Sequence, residues 1–217
     1  MEEVKSTHAG QAVYSNFTLK LYDWWVLEIS NSYLWCCPTP ILEQHFAAHA
    51  SKNHLDVGVG TGYFLEKCLA SDTKLALMDL NTSSIEAAAA RVQHLAPKLY
   101  QKDILQPIEG VEKTFDSISI NYLLHCLPGP MSHKTQMFEH LAPLLNSGGK
   151  VFGSTILGNG IEPNWGARKL MGFYNRKGIF DNAQDSFSEL KLALERHFVD
   201  VEINLVGLVA VFAAVKK

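Results

Sequence analysis

From Asp56 to Gly62 the sequence reads Asp-Val-Gly-Val-Gly-Thr-Gly, a carboxylate followed by glycines at every second position. Glycine-rich turns after a strand let a ligand lie against bare backbone, and the spacing limits which ligand. A phosphate-binding P-loop closes on Gly-Lys-Ser/Thr, whereas this turn continues Gly62-Tyr63-Phe64 with no lysine before Lys67. A dinucleotide turn spaces its glycines G-x-G-x-x-G and seats a pyrophosphate, which a carboxylate at Asp56 would repel. The same carboxylate would attract a ligand carrying an ammonium and a sulfonium charge. Asp56, Gly58, Gly60 and Gly62 therefore favour a cationic amino-acid nucleoside.

The elements that must position this turn alternate along the chain. "HLDVGVG" is a strand followed by the helical pattern "GYFLEKCLA", and "KLALMDL" is a strand followed by "SSIEAAAARVQHLA". In the latter Ile85, Ala88, Val92 and Leu95 share a face, Ser83 and Glu86 are spaced as a capping box, and Pro97 is the stop. "FDSISINYLL" reads as a buried strand, "KTQMFEHLAPLL" as a helix ending at Gly148–Gly149, and "KVFGSTIL" as the next strand. Such alternation builds a mostly parallel sheet with helices on both faces. "DVEINLV" and "LVAVFAAVK" are too close for a crossover and predict a terminal antiparallel hairpin. Residues 10–50, helical and aromatic, and residues 158–185 lie outside the alternating unit and are placed to shape a pocket above the strand ends.

On these residues the sequence resembles the class I S-adenosylmethionine (SAM)-dependent methyltransferases: "LDVGVGTGYF" looks like their first motif. The resemblance implies that Asp79 accepts hydrogen bonds from the ribose hydroxyls, that Leu80 packs on the adenine, and that Asp103 and Ile104 meet the adenine edge. It puts Asn121 at the end of the fourth strand, with the cofactor set. Asn121 is followed by Tyr122-Leu123-Leu124 rather than the Pro-Pro-Tyr of enzymes that methylate base amino groups. The fold implied is a Rossmann-like, seven-stranded, mostly parallel α/β sheet with a C-terminal antiparallel hairpin and a helical N-terminal cap. One domain is expected over residues 1–217, with the cap at 1–50 and a core at 51–217 carrying the 158–185 insertion. The N-terminal segment looks like that of small methyltransferases of fungal and bacterial secondary metabolism.

Methyl transfer is an in-line displacement on an activated donor, so positioning and exclusion of water carry most of the catalysis. A general base is needed where the acceptor arrives protonated, and His125, in the loop after the fourth strand, is the candidate. Tyr22 is placed to close over the methionine end of the cofactor, and Tyr14, Tyr122 and Arg168 to meet the acceptor, Arg168 as partner for an anionic group. The expected acceptor is a small molecule. Two other classes compete: a SAM-binding enzyme of a non-methylating step, and a non-catalytic partner of another methyltransferase subunit.

Composition narrows the remaining classes. The 217 residues are 47% hydrophobic, enough to bury a core, and the net charge of −3 gives no field suited to nucleic acid. The four cysteines have no zinc-ligand spacing and are too few for a disulfide framework, so reduced thiols and a cytoplasmic location are expected. No run approaches the roughly 20 apolar residues of a membrane span, and the acidic start is unlike a secretory signal. No metal site is expected, since Asp79 and Asp103 are already assigned to the cofactor.

Overall fold

A computed structural model describes residues 30–111 and 114–217. The sequence folds as an α/β protein around a seven-stranded sheet in the order β3-β2-β1-β4-β5-β7-β6. Its strands are β1 Asn53–Val57, β2 Lys74–Asp79, β3 Lys98–Gln101, β4 Phe115–Asn121, β5 Leu145–Ile156, β6 Phe198–Val206 and β7 Val209–Lys216. β1 pairs in parallel with β2 and β4, β2 with β3, and β4 with β5. β7 inserts antiparallel between β5 and β6. The terminal hairpin is thus formed, turning at Gly207 (φ 58°).

Period-two alternation sends successive side chains to opposite faces. Leu55, Val57, Ile118, Ile120, Val151 and Phe212 join one core, with Phe138 of helix α5 (Gln136–Leu141) and Leu190 and Leu194 of α7 (Phe187–His197). Leu75, Leu77, Phe152 and Ala213 face the other way, against Phe46 of α1 (Thr39–His49), Leu65 of α2 (Tyr63–Cys68) and Ala88 of α3 (Thr82–Arg91). Helices therefore cover both faces of the sheet.

A third cluster joins Trp35, Leu42, Ile156, Met171, Phe180 and Leu208. It packs the segment ahead of α1 and the 158–185 segment, with its helix α6 (Trp165–Arg176), against the end of β5 and the turn of the hairpin. The expected cap at residues 1–50 is described only from residue 30, where one π-type turn closes with Trp35 N–H on the Ser30 carbonyl at 2.8 Å. Residues 1–29, including Tyr14 and Tyr22, lie outside the described residues.

Two helices depart from the expectation. Helix α3 is capped by Asn81, whose Oδ1 accepts from Ser83 N–H at 2.9 Å, and not by a box of Ser83 and Glu86. Its stop is at Val92, five residues ahead of Pro97, where the chain tightens into a 3-10 turn over Gln93–Leu95. The helix expected over "KTQMFEHLAPLL" is broken at Thr135, between α4 (Met131–Lys134) and α5, and again after Leu141, where Pro143 cannot continue the α5 ladder and a 3-10 turn runs over Ala142–Leu144. Gly148 and Gly149 then fall inside β5, where the register with β4 shifts between Phe115 and Ser117, rather than at a helix end.

Candidate functional site

The glycine turn leaves the carboxyl end of β1 and enters α2. Gly58, Gly60 and Gly62 all have positive φ (72°, 52° and 73°). Gly62 is the N-cap of α2, and a Cβ there would stand 3.0 Å from the Ala88 Cα, so only glycine lets α2 approach α3 this closely. A Cβ at Gly60 would meet nothing within 4 Å, so the middle of the turn faces open space. At Gly58 the missing Cβ is replaced by the Leu123 side chain at 3.0 Å, which brings the loop after β4 onto the turn.

β2 closes the other side. Gly58 N–H bonds the Met78 carbonyl at 2.9 Å, and the next residue, Asp79, accepts from Asn81 N–H at 2.8 Å. Burial raises the Asp79 pKa, opposed by the backbone N–H groups of Asn81, Val59, Leu80 and Gly60, two of them in the turn. The carboxylate therefore stands over the glycine backbone. Leu80 is half-buried, its carbonyl accepting from Gln101 Nε2 at 3.2 Å, and Lys102 N–H bonds the Asp79 carbonyl at 3.1 Å. These contacts hold the segment after β3 beside Asp79. There Asp103 spends Oδ1 on its own Leu105 N–H at 2.9 Å, and Ile104 is buried.

Asp56 is buried on β1, accepting a hydrogen bond from Ser119 of β4. Burial pushes its pKa up to about 7, with the Asp79 charge adding to the rise and the Ser119 hydroxyl opposing it.

At the end of β4, Asn121 accepts from Ser154 Oγ at 3.1 Å, while its Nδ2 is buried with no partner. Buried donors are nearly always satisfied, so an orphan amide at a strand end marks a place for a ligand's acceptor atom. Tyr122 follows with φ 53°, a backbone conformation that costs a bulky residue free energy and is concentrated at functional sites. Its hydroxyl donates to Asn31 Oδ1 at 2.9 Å, and burial raises its pKa well above the ordinary phenol value.

His125 is buried in a 3-10 turn, Leu124–Cys126, edge-on to Phe180 (4.5 Å between centroids) and Tyr122 (5.5 Å). Ile156 N–H donates to Nδ1 at 3.3 Å, with Thr155 Oγ1 at 3.4 Å, so the ring's own proton sits on Nε2. Burial, with the nearby Lys134 charge, lowers its pKa to about 3. At neutral pH His125 is a neutral imidazole offering a donor at Nε2, its Nδ1 lone pair already engaged. The candidate base of the sequence reading has the chemistry of a hydrogen-bond donor in this arrangement.

The structure thus brings together Asp56, the three glycines, Asp79, Leu80, Asp103 and Ile104, and joins Asn121, Tyr122 and His125 to them through Leu123. Arg168 stands apart, exposed on α6. Sequence reasoning missed Asn31, Phe180 and the Ser119 partner of Asp56. The polar alternation of His54 and Asp56 opposite Ser117 and Ser119 was the available signal for the last. Among the described residues no group of three His, Cys, Asp or Glu side chains could hold a metal ion, and no helix is long and apolar enough to cross a membrane.

A methyltransferase-domain family matches residues 55–151, from β1 into β5. The chain is 38% identical, over 100% of its length and 99% of the relative's, to the physcion biosynthesis cluster O-methyltransferase of Aspergillus chevalieri. The chain belongs to the SAM-dependent methyltransferase family. It is also 40% identical to the methyltransferase verB of Penicillium polonicum, over 95% of this chain and 98% of that one. In fold it is similar to an O-methyltransferase family protein from Burkholderia thailandensis, with a TM-score of 0.67 at 17% identity, covering 98% of this methyltransferase and 65% of that chain. The cradle fits SAM: three left-handed glycines, an open face at Gly60, and the acids Asp56 and Asp79 beside it.

Proposed function

We propose that this methyltransferase transfers a methyl group to the hydroxyl oxygen of a small organic acceptor in the cytoplasm, with no nucleic acid involved. The observation that carries this reading is the pairing of the uncommitted Asn121 amide with the strained Tyr122, at the strand end that meets the glycine turn. A bound ligand is what such a buried donor lacks. Support for oxygen as the methylated atom comes from the relative named an O-methyltransferase.

In this proposal Gly58, Gly60 and Gly62 give the cofactor bare backbone, and Asp56 faces its positive charge. Asp79 accepts from the ribose, Leu80 and Ile104 flank the adenine, and Asp103 meets its edge. Asn121 donates at the methionine end, which Tyr22 is also proposed to meet. When bound, SAM supplies an electrophilic methyl group. The chain's residues orient the acceptor and keep water out: Tyr122 and Phe180 form walls, His125 donates from Nε2, and the 158–185 segment covers the site. Tyr14 and Arg168 are proposed acceptor contacts. The whole chain works as one domain.

The test is a reaction with methyl-labelled SAM and a panel of phenols, carboxylic acids and amines. Label recovered as a methyl ether, with S-adenosylhomocysteine in equal amount, is the expected result. Label on a carboxylate, nitrogen or carbon would overturn the hydroxyl assignment, and S-adenosylhomocysteine formed without methylated acceptor would overturn methyl transfer itself.

A further inference from the structure

Behind Asp56 lies a buried hydrogen-bond relay that the cofactor cradle does not explain. His54 and Asp56, two apart on β1, face Ser117 and Ser119, two apart on β4, in the register His54↔Ser117 and Asp56↔Ser119. His54, Ser117 and Ser119 have no exposure at all. His54 Nδ1 lies 2.7 Å from Ser117 Oγ and Nε2 lies 2.9 Å from Ser119 Oγ, so both ring nitrogens are committed to serines. Ser117 Oγ in turn accepts Ser51 N–H at 2.8 Å and lies 2.8 Å from Ser51 Oγ, which reaches the Asn53 carbonyl at 3.0 Å.

Counting protons fixes the direction. A serine hydroxyl has one hydrogen, and Ser119 gives its own to the Asp56 carboxylate. Ser119 must then accept from His54 Nε2–H, and Nδ1 must accept from Ser117 Oγ–H. Every bond points towards the ionised acid. With one proton added on Asp56, the opposite sense is equally complete. Asp56 donates to Ser119, Ser119 to Nε2, Nδ1–H to Ser117, Ser117 to Ser51 Oγ, and Ser51 to the Asn53 carbonyl. No polar group is stranded in either state, which is unusual for a buried acid.

We infer that His54, acting through Ser119, is a positioning residue that fixes the orientation and charge of Asp56 at the cofactor cradle, by a relay whose direction reverses when the carboxylate takes up a proton. The place of Asp56 at the cradle rests on the function proposed above. The ionisable groups on the elements around it are His54 on its own strand, Lys74 and Asp79 on β2, Asp116 on β4, Glu43, His45 and His49 on α1, and Tyr63, Glu66, Lys67 and Cys68 on α2; of these, Asp79 is the charge acting on Asp56. With the acid titrating at about 7, the relay stands near its turning point at neutral pH.

The primary experiment uses the wild-type full-length protein with 15N-labelled histidines, the His54 signal being assigned by its loss in His54→Gln. Its NMR tautomer pattern is expected to be Nε2–H well above the Asp56 midpoint and Nδ1–H well below it. One tautomer at both pH values, or an imidazolium, would overturn the inference. The second experiment follows the dissociation constant of S-adenosylhomocysteine by calorimetry across pH. Binding is expected to weaken about tenfold per pH unit below the midpoint. Ser119→Ala is expected to raise that midpoint by about one to two pH units, through loss of a hydrogen bond to the charged form. An unmoved midpoint in Ser119→Ala would overturn the role of the relay. If binding in Asp56→Asn retained the wild-type pH dependence while the His54 tautomer of the wild-type protein still switched, the place of Asp56 at the cradle would fail and the relay would stand.

Discussion

The Tyr122 hydroxyl donates to Asn31 Oδ1 at 2.9 Å, linking the strained residue after β4 to the segment ahead of α1. Asn31 is fully buried, and its Nδ2 donates to Thr39 Oγ1 at 3.1 Å, at the first residue of α1. Its carbonyl accepts Cys37 N–H at 2.8 Å. One amide therefore fixes the left-handed backbone at the site and the entry into α1 together. Strain of this kind persists only where the surroundings over-determine it, and here that determination comes from 91 residues away.

Tyr122→Phe keeps the ring against His125 and removes the donor, leaving Asn31 Oδ1 buried without a partner. A loss of about 1–3 kcal/mol is expected in urea unfolding. Asn31→Ala should cost a similar amount, and the double variant less than the sum, because one hydrogen bond is shared. Additive losses would show that the two residues act independently.

Asp79→Ala removes the proposed acceptor for the ribose and the acceptor for the amides around it. S-adenosylhomocysteine binding should weaken by about 1.5–3 kcal/mol, roughly 10- to 150-fold. Asp79→Asn should fall between, since the amide oxygen still accepts. Calorimetry decides; unchanged affinity in the alanine variant would remove Asp79 from the cofactor site.

The sheet was legible because its signals are local: β-branched runs, alternation, and glycine at turns. The order of the hairpin followed from the short gap between "DVEINLV" and "LVAVFAAVK". The glycine turn with Asp56 was legible for the same reason, being set by spacing along one stretch of chain, whereas Asp79 at the end of β2 was singled out by the family resemblance. What failed was of two kinds. Asn81 took the cap of α3 from Ser83 because Asn81, Thr82 and Ser83 are three competent cap residues in a row, and sequence does not rank them. The partners Asn31 for Tyr122 and Phe180 for His125 come from the segments flanking the core, 91 and 55 residues distant, where no periodicity predicts contact.

Lys134 and Asp185 form an ion pair at 2.7 Å, with the two side chains at 0% and 1% exposure. The Asp185 carbonyl accepts from Gly158 N–H and Asn159 N–H, and Lys134 also reaches the Asp181 carbonyl, so the pair ties both ends of the 158–185 segment to α4. Lys134→Met leaves a buried carboxylate unpaired and should cost about 3–5 kcal/mol by chemical denaturation. Lys134→Met with Asp185→Leu removes both charges and should recover much of that loss. A single variant as stable as wild type would mean that the pair does not hold the segment.

His125 gives the clearest dependence on pH. Its folded pKa of about 3 lies below the ordinary histidine value of 6.5, so between these values the unfolded chain binds a proton that the folded chain does not. The sign follows: this residue's contribution is present above about pH 6.5 and is lost progressively as pH falls towards 3. Asp56, raised to about 7, contributes with the opposite sign over part of the same range, so total stability alone does not isolate the histidine. The difference between wild type and His125→Gln does. As pH is lowered from 6.5, wild type should lose stability relative to the variant by about 1.4 kcal/mol per pH unit, measured by urea unfolding at several pH values. In catalysis the same low pKa predicts a turnover profile with no His125 ionisation between about pH 5 and 8. His125→Ala should lower turnover through loss of the Nε2 donor without moving either limb of that profile. A limb near the ordinary histidine value that disappears in His125→Ala would instead make the residue a base.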